Sequence, residues 1–187
     1  MRTNTLPTEL LFFDTDSLSS FLRIDVQYLL SILYKNRIVI PKPVYMEISK
    51  AYQGNGFLRQ RLDKMIKDQE AFVKEIEYTK KEFDLYRQFI NGDNELKMAI
   101  GKGEASCLAL SIAYDGIIVS DNLKDVQRFV ELYKLKHLTV SAILKQAYDE
   151  SFISEDYGNQ IWQQLLDTGR KIAHEKNFSE YLNHNNG

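Results

Sequence analysis

The stretch from residue 101 to residue 122, GKGEASCLALSIAYDGIIVSDN, contains the pattern that decides the fold. The segment Glu104–Tyr114 is rich in Ala and Leu and favours a buried helix. The pair Asp115-Gly116 predicts a turn, and the apolar run that begins at Ile117 predicts a strand buried on both faces. Asp121 follows this run, so a carboxylate is expected at the carboxyl end of the strand.

The rest of the chain repeats this alternation of short apolar runs and helical patterns. Leu10–Phe13 is an apolar run that ends at Asp14, and Arg37–Ile40 is a second run. Weaker strands are expected at Phe72–Thr79 and at His137–Val140. Strands that alternate with helices indicate an α/β fold with a mainly parallel sheet.

Helices are predicted wherever apolar residues recur at helical spacing. Besides Glu104–Tyr114, helices are expected after Asp25 as an N-cap, around Pro43, Leu58 and Phe83, after Asn122 as a cap, near Ile143, and from Glu155. The last helix is expected to run to about Ala173, and a polar, frayed end is expected to follow it.

The composition is that of an ordinary globular protein and excludes several classes. The 187 residues include 24 Lys and Arg against 26 Asp and Glu, so the net charge of −2 excludes binding of nucleic acid by bulk positive charge. The single cysteine, Cys107, excludes an intramolecular disulfide and a cysteine-based metal site. No apolar run approaches the roughly 20 residues that span a bilayer, so we expect a cytoplasmic protein without a membrane segment.

Four acidic residues are expected to converge at one edge of the sheet. Asp14 and Asp121 follow predicted strands, while Glu47 and Glu104 lie near helix starts that face the same edge. Converging carboxylates repel one another, and a hard divalent cation relieves that repulsion. Ligands that are all oxygen atoms suit Mg²⁺ or Mn²⁺ better than zinc. Such a site can activate water for attack on a phosphodiester.

Four segments of the chain resemble a PIN domain: LLFFDTDSLSSFL, IPKPVYMEI, GKGEASCLALSIAYDGIIVSDN and LTVSAILKQAY. The likeness is to the prokaryotic subgroup related to VapC-type toxin ribonucleases, and the tail resembles the C-terminal helix of that subgroup. It implies a three-layer α/β sandwich with a mainly parallel central sheet between helices. Residues 8–150 would form this domain, and residues 151–187 would form a helical extension packed on it.

The resemblance places the acids of the PIN family at Asp14, Glu47, Glu104 and Asp121. It implies an endoribonuclease that cleaves single-stranded RNA with Mg²⁺ or Mn²⁺ through metal-activated water, leaving a 5′-phosphate and a 3′-hydroxyl. It also implies the toxin of a toxin–antitoxin pair, or a relative of one. In such toxins a small antitoxin protein occludes the site, and homodimers are common.

Two further acids and four basic residues are weaker candidates. Asp16 stands where the family commonly has Asn or a hydrophobic residue, and it can join the metal shell or hold the turn by bonding to Ser17. Asp125 can supply the family's fifth acid or face solvent. The candidates for binding RNA phosphates are Lys42, Lys102, Arg59 and Arg61. A solvated helix face is the ordinary explanation for the last two.

Two other functions stay open. A PIN-like protein can bind RNA or a partner protein without cutting, although such a protein has no reason to keep four mutually repelling carboxylates. A haloacid-dehalogenase-type phosphatase would use Asp14 and Asp16 as its nucleophile loop, and Asp121 and Asp125 as its metal motif. That family expects a hydroxyl residue at the end of the second strand and a Lys before the metal motif, and this sequence has neither.

Overall fold

The structure is a computed structural model that describes residues 9–50, 56–93, 95–170 and 172–185. Within these ranges, the side chains of residues 123–125 are outside the description. The described residues form one five-stranded sheet in which all neighbouring strands are parallel. In spatial order the strands are β3 (Ala71–Lys74), β2 (Ile38–Pro41), β1 (Leu11–Phe13), β4 (Ile117–Val119) and β5 (Lys136–Leu138). The predicted α/β fold with a parallel central sheet is confirmed.

Helices connect the strands and extend the chain at its end. In the described ranges they are α1 (Thr15–Arg23), α2 (Tyr28–Leu33), α3 (Lys42–Lys50), α4 (Gly56–Lys67), α5 (Lys81–Asn91), α6 (Lys102–Tyr114), α7 (Leu123–Tyr133), α8 (Val140–Asp149), α9 (Glu155–Asp167) and α10 (Phe178–Asn185). Helix α6 contacts β1, β2 and β4 and so packs over the centre of the sheet. None of the helices in these ranges is long and apolar enough to cross a membrane.

The central strand β1 and its neighbour β4 are apolar along their whole length, as is typical of strands whose two faces are covered. Every residue of β1 is fully buried. Its last residue, Phe13, pairs with Val119, the last residue of β4. Both strands therefore end at the same level, and the residues that follow them emerge side by side at the carboxyl edge of the sheet.

Some predicted boundaries are wrong because local backbone geometry overrides the apolar pattern. Asp25 does not cap α2: its φ is +63°, and the helix begins only at Tyr28. Strand β3 ends at Lys74, well before the predicted Thr79. Strand β5 ends at Leu138, since the Thr139 hydroxyl accepts a bond from the Ala142 N–H and thereby caps α8.

The end of the chain contains two helices in place of one helix with a frayed end. Helix α9 ends at Asp167, and Gly169 has a φ of +76° that turns the chain. Helix α10 is held by Phe178, whose buried ring lies 6.0 Å from the rings of both Trp162 and Tyr148. The sequence around Phe178 is mostly polar, so the pattern of apolar residues did not predict this second helix. The division of the chain at residue 150 stays a prediction.

Replacing Gly158 with Ala tests the packing of α10. A Cβ at this position would overlap the ring of Phe178. We expect Gly158→Ala to lower the free energy of unfolding by about 1–3 kcal/mol, because overpacking outweighs the gain of up to about 1 kcal/mol in helix propensity. Urea denaturation measures this change. The control is Gly56→Ala, whose Cβ would meet nothing within 4 Å. Equal stability of Gly158→Ala and wild type would contradict the packing described here.

Candidate functional site

Asp14 is fixed by the strand before it and the helix after it. Its side chain is only 3% exposed. Its Oδ1 accepts a 2.7 Å hydrogen bond from the Ser17 N–H and so caps α1. Its own N–H donates to the Val119 carbonyl at 3.0 Å, which ties the end of β1 to β4. The carboxylate therefore has one fixed position at the carboxyl edge of the sheet.

Asp121 lies beside Asp14 and is held by two further bonds. Its N–H donates to the Ser17 hydroxyl at 3.1 Å, so Ser17 contacts both acids. Its Oδ1 accepts from the Val140 N–H, also at 3.1 Å, at the start of α8. Asp121 thus joins the ends of β1 and β4 to α8. Its carboxylate is oriented by the backbone N–H of Val140, which belongs to the first turn of that helix.

Both aspartates hold protons more tightly than an exposed aspartate. Burial raises the pKa of Asp14 from 3.8 to about 6, although hydrogen bonds from Ser120 and Ser17 oppose the shift. Burial, helped by the charge of Asp14, raises the pKa of Asp121 from 3.8 to about 7. The folded protein binds these protons more tightly than the unfolded chain, so the free energy of unfolding falls as pH rises from about 4 to about 7.

Glu47 lies on α3, the helix that directly follows β2, and β2 is the strand next to β1. Its Oε2 accepts a hydrogen bond from the hydroxyl of Thr15, the first residue of α1. A Cβ at Gly103 would lie 2.8 Å from this oxygen and 3.2 Å from the Thr15 hydroxyl. Gly103 therefore leaves the space that the Glu47 carboxylate occupies.

Glu104 stands in the first turn of α6 and is arranged in the same way. Its Oε1 accepts a 3.4 Å hydrogen bond from the side chain of Asn122. A Cβ at Gly101 would overlap its Oε2. Asn122 is also the N-cap residue of α7, which ends at Tyr133 as predicted. The glycines of Gly101-Lys102-Gly103 thus make room for two carboxylates as well as breaking the chain between helices.

Three of the four acids act electrostatically on one buried residue of α6. Burial raises the pKa of the Cys107 thiol, and the negative charges of Asp14, Glu104 and Glu47 raise it further. Yet no group of three or more His, Cys, Asp or Glu side chains in the described part of the chain is arranged to hold a metal ion. The four acids offer only carboxylate oxygens, a donor set that suits Mg²⁺ or Mn²⁺. Metal binding by Asp14, Glu47, Glu104 and Asp121 stays a prediction.

The two weaker acidic candidates are Asp16 and Asp125. The Asp16 carboxylate is exposed and forms an ion pair with Arg170. Of the two roles expected for Asp16, holding the turn after β1 falls to Asp14, whose Oδ1 accepts from the Ser17 N–H, and metal binding by Asp16 stays a prediction. The side chain of Asp125 lies outside the described residues.

The predicted phosphate-binding residues are spread over several surfaces. Lys42 pairs with Glu75 at 3.4 Å, and Lys102 is exposed at the first residue of α6. Arg59 pairs with Asp63 on its own helix. Arg61 donates to the carbonyls of Leu22 and Arg23 and pairs with Asp25, so its guanidinium holds the end of α1. A role of these four residues in RNA binding stays a prediction.

Sequence reasoning missed Arg170. It follows α9 and lies 154 positions from its partner Asp16, and no local pattern signals such a contact. Together they border an open pocket of about 360 Å³ beside the aspartate pair. The pocket is lined by Asp16, Ser20, Asp121, Asn122, Gly169 and Arg170.

Comparison with known proteins identifies the fold. The family model DUF3368, a PIN domain, matches residues 10–183. The chain belongs to the PIN domain family. PIN domains are generally nucleases and typically use divalent metals. No curated protein is significantly similar to this chain.

One solved structure similar to this PIN domain is VapBC-1 from nontypeable Haemophilus influenzae. The TM-score is 0.51 and the sequence identity is 14%, with 71% of this chain and 98% of the other chain covered. At this identity the likeness concerns the fold alone. Together with the five-stranded parallel sheet, it confirms the predicted PIN-like architecture.

Replacing Gly103 with Ala tests the space beside Glu47. The methyl group would displace the Glu47 carboxylate, which can swing away at little cost, so stability should change by less than about 0.5 kcal/mol. We expect Mn²⁺ to bind at least about tenfold more weakly, as when groups that orient a metal ligand are lost. Isothermal calorimetry measures the affinity, with Gly56→Ala as the control. If Gly103→Ala binds Mn²⁺ with wild-type affinity, Glu47 is not a ligand of the metal site.

Proposed function

We propose that this PIN domain is a metal-dependent endoribonuclease that cleaves single-stranded RNA. The observation that carries the proposal is the pair Asp14 and Asp121, two largely buried carboxylates with raised pKa values at the ends of adjacent central strands. Perturbed carboxylates at the carboxyl edge of a parallel sheet are typical of functional sites. Glu47 and Glu104 supply two further carboxylates from helices that start at the same edge.

The four carboxylates would hold one or two Mg²⁺ or Mn²⁺ ions. A bound ion would neutralise charge on the scissile phosphate and lower the pKa of a water molecule that attacks phosphorus. The hydrogen bonds from Ser17 and Val140 fix the Oδ1 atoms of Asp14 and Asp121. Oriented carboxylates at a partly dry site act more strongly than mobile ones in water, because little reorganisation is needed during the reaction. The attacking water would give its proton to this carboxylate cluster.

The reaction direction sets the products. Attack of water on phosphorus, with departure of the 3′ oxygen of the preceding nucleotide, leaves a 5′-phosphate and a 3′-hydroxyl. No residue of the chain is then bound covalently to RNA. The described site accordingly needs no nucleophilic side chain, and the buried Cys107 on α6 has a raised pKa that makes its thiol a poor nucleophile.

We further propose that the protein is the toxin of a toxin–antitoxin pair, or a relative of one. Support comes from the sequence resemblance to VapC-type toxins and the similarity to the VapBC-1 structure. A small antitoxin protein is therefore the proposed partner, and a homodimer the proposed assembly. Size-exclusion chromatography of the protein, alone and co-expressed with its candidate partner, addresses both.

The two alternatives have less support. A phosphatase of the haloacid-dehalogenase type would need Asp16 free beside Asp14, whereas the Asp16 carboxylate is paired with Arg170. A PIN domain that only binds RNA would gain nothing from two aspartates whose charged forms oppose folding. Assays with small phosphomonoesters and with RNA separate these functions.

Cleavage of labelled single-stranded RNAs tests the proposed function. We expect cutting in Mn²⁺ or Mg²⁺, none in chelator, and at least about a 100-fold loss of rate in Asp14→Asn and Glu104→Gln, since each removes a metal-ligand charge. The matched control, Asp68→Asn, removes an exposed carboxylate paired with Lys64 and should cut at the wild-type rate. Cutting that persists in chelator or in Asp14→Asn would contradict the proposal.

A further inference from the structure

We propose that Arg170 binds a backbone phosphate of the RNA next to the site of cleavage. This inference rests on the proposed function, since it concerns how the same site holds its substrate. It adds a cationic residue from the C-terminal part of the chain to a site otherwise built from residues 14–121. It also gives Asp16 a task other than metal binding.

The backbone delivers Arg170 to the site. Gly169 has a φ of +76°, a conformation that favours glycine, and it turns the chain after α9. The Arg170 N–H donates to the Leu165 carbonyl at 3.3 Å, which holds the turn against the helix. Its guanidinium is only 20% exposed and donates to Asp16 Oδ1 on α1. The side chain is thus held in one position at the carboxyl edge of the sheet.

The charges around Arg170 suit an anion. Burial lowers the pKa of Arg23, and the nearby positive charge of Arg170 lowers it further. Asp16 is paired with Arg170 and also acts on Arg23, so one carboxylate faces two guanidiniums and positive charge remains for an anion. Arginine binds phosphate with two parallel hydrogen bonds, which a single lysine cannot supply.

The pocket connects this cation to the acidic site. Asp121 and Arg170 both line the pocket of about 360 Å³. An RNA strand that places its scissile phosphate at Asp121 can therefore place a neighbouring phosphate against Arg170. An acidic site needs such cations because RNA and carboxylates repel each other, and phosphate contacts fix the position of a strand.

Asp16 acts as a positioning residue in this arrangement. Its carboxylate is engaged by Arg170, and the Ser20 hydroxyl donates to its backbone carbonyl at 2.9 Å. Its charge is thereby compensated without a metal ion. We expect Asp16→Asn to keep the wild-type Mn²⁺ midpoint of cleavage, whereas a tenfold shift of that midpoint would make Asp16 a metal ligand and contradict this role.

RNA affinity at several salt concentrations tests the inference. Fluorescence anisotropy with a labelled single-stranded RNA, in chelator to prevent cleavage, gives Kd and its salt dependence. We expect Arg170→Gln to weaken binding about tenfold and to reduce the slope of log K against log salt by about 0.7, the value of one phosphate contact on a single strand. Arg170→Lys should keep the slope and lose part of the affinity. The control Arg37→Gln removes an arginine at the amino end of β2 and should leave the slope unchanged.

The outcomes separate this inference from the proposed function. Unchanged Kd and slope in Arg170→Gln, while the wild type cuts RNA in Mn²⁺, would overturn the inference and leave the nuclease intact. Tighter binding in Arg170→Gln would mean that Arg170 guards the site, which also overturns it. A wild type that neither binds nor cuts RNA would overturn both. Thermal melts show whether each variant folds. If Arg170→Gln does not fold, the loss of affinity in Arg170→Lys is measured in its place.

Discussion

The pairing of β1 with β4 is the interaction on which the candidate site depends. Because Phe13 lies opposite Val119, both strands end at the same level, and Asp14 and Asp121 emerge beside each other. The apolar residues of both strands cannot shift by one position without exposing a buried face or burying a charge. The hydrophobic core therefore sets the distance between the two aspartates, although it has no chemical role.

Holding these aspartates in place opposes folding. The pKa of Asp14 rises by about two units on burial, which corresponds to about 3 kcal/mol of stability lost when the group is charged at neutral pH. A typical domain has only about 5–15 kcal/mol in total. A sequence that keeps such a group at the edge of its sheet indicates a function that uses the charge. A divalent cation is the ligand that would relieve the cost.

Much of the architecture could be predicted from the sequence because its strongest signals are local. The apolar runs before Asp14 and Asp121 and the Ala-rich helix after Gly103 specify the centre of the sheet and its edge. The second terminal helix was missed because it depends on Phe178 packing against residues far away in sequence.

The details of the site were less accessible to sequence reasoning. The contact between Asp16 and Arg170 joins residues 154 positions apart, and no local sequence pattern around either residue predicts it. The glycines at 101 and 103 read as a helix break, and only the folded structure reveals that they leave room for the carboxylates of Glu104 and Glu47. Local patterns therefore predicted the strands that end before Asp14 and Asp121, and tertiary contacts decide how each acid is held.

Melting temperature against pH, with and without Mn²⁺, tests most directly the claim that burial of charge prepares this site for metal. In chelator, the wild type should lose stability relative to Asp14→Asn as pH rises from about 4 to about 7, because only the wild type acquires the buried charge of Asp14. Millimolar Mn²⁺ should recover that loss at pH 7 in the wild type and much less in Asp14→Asn. The same shift in both proteins, or none in either, would contradict a metal site built on Asp14.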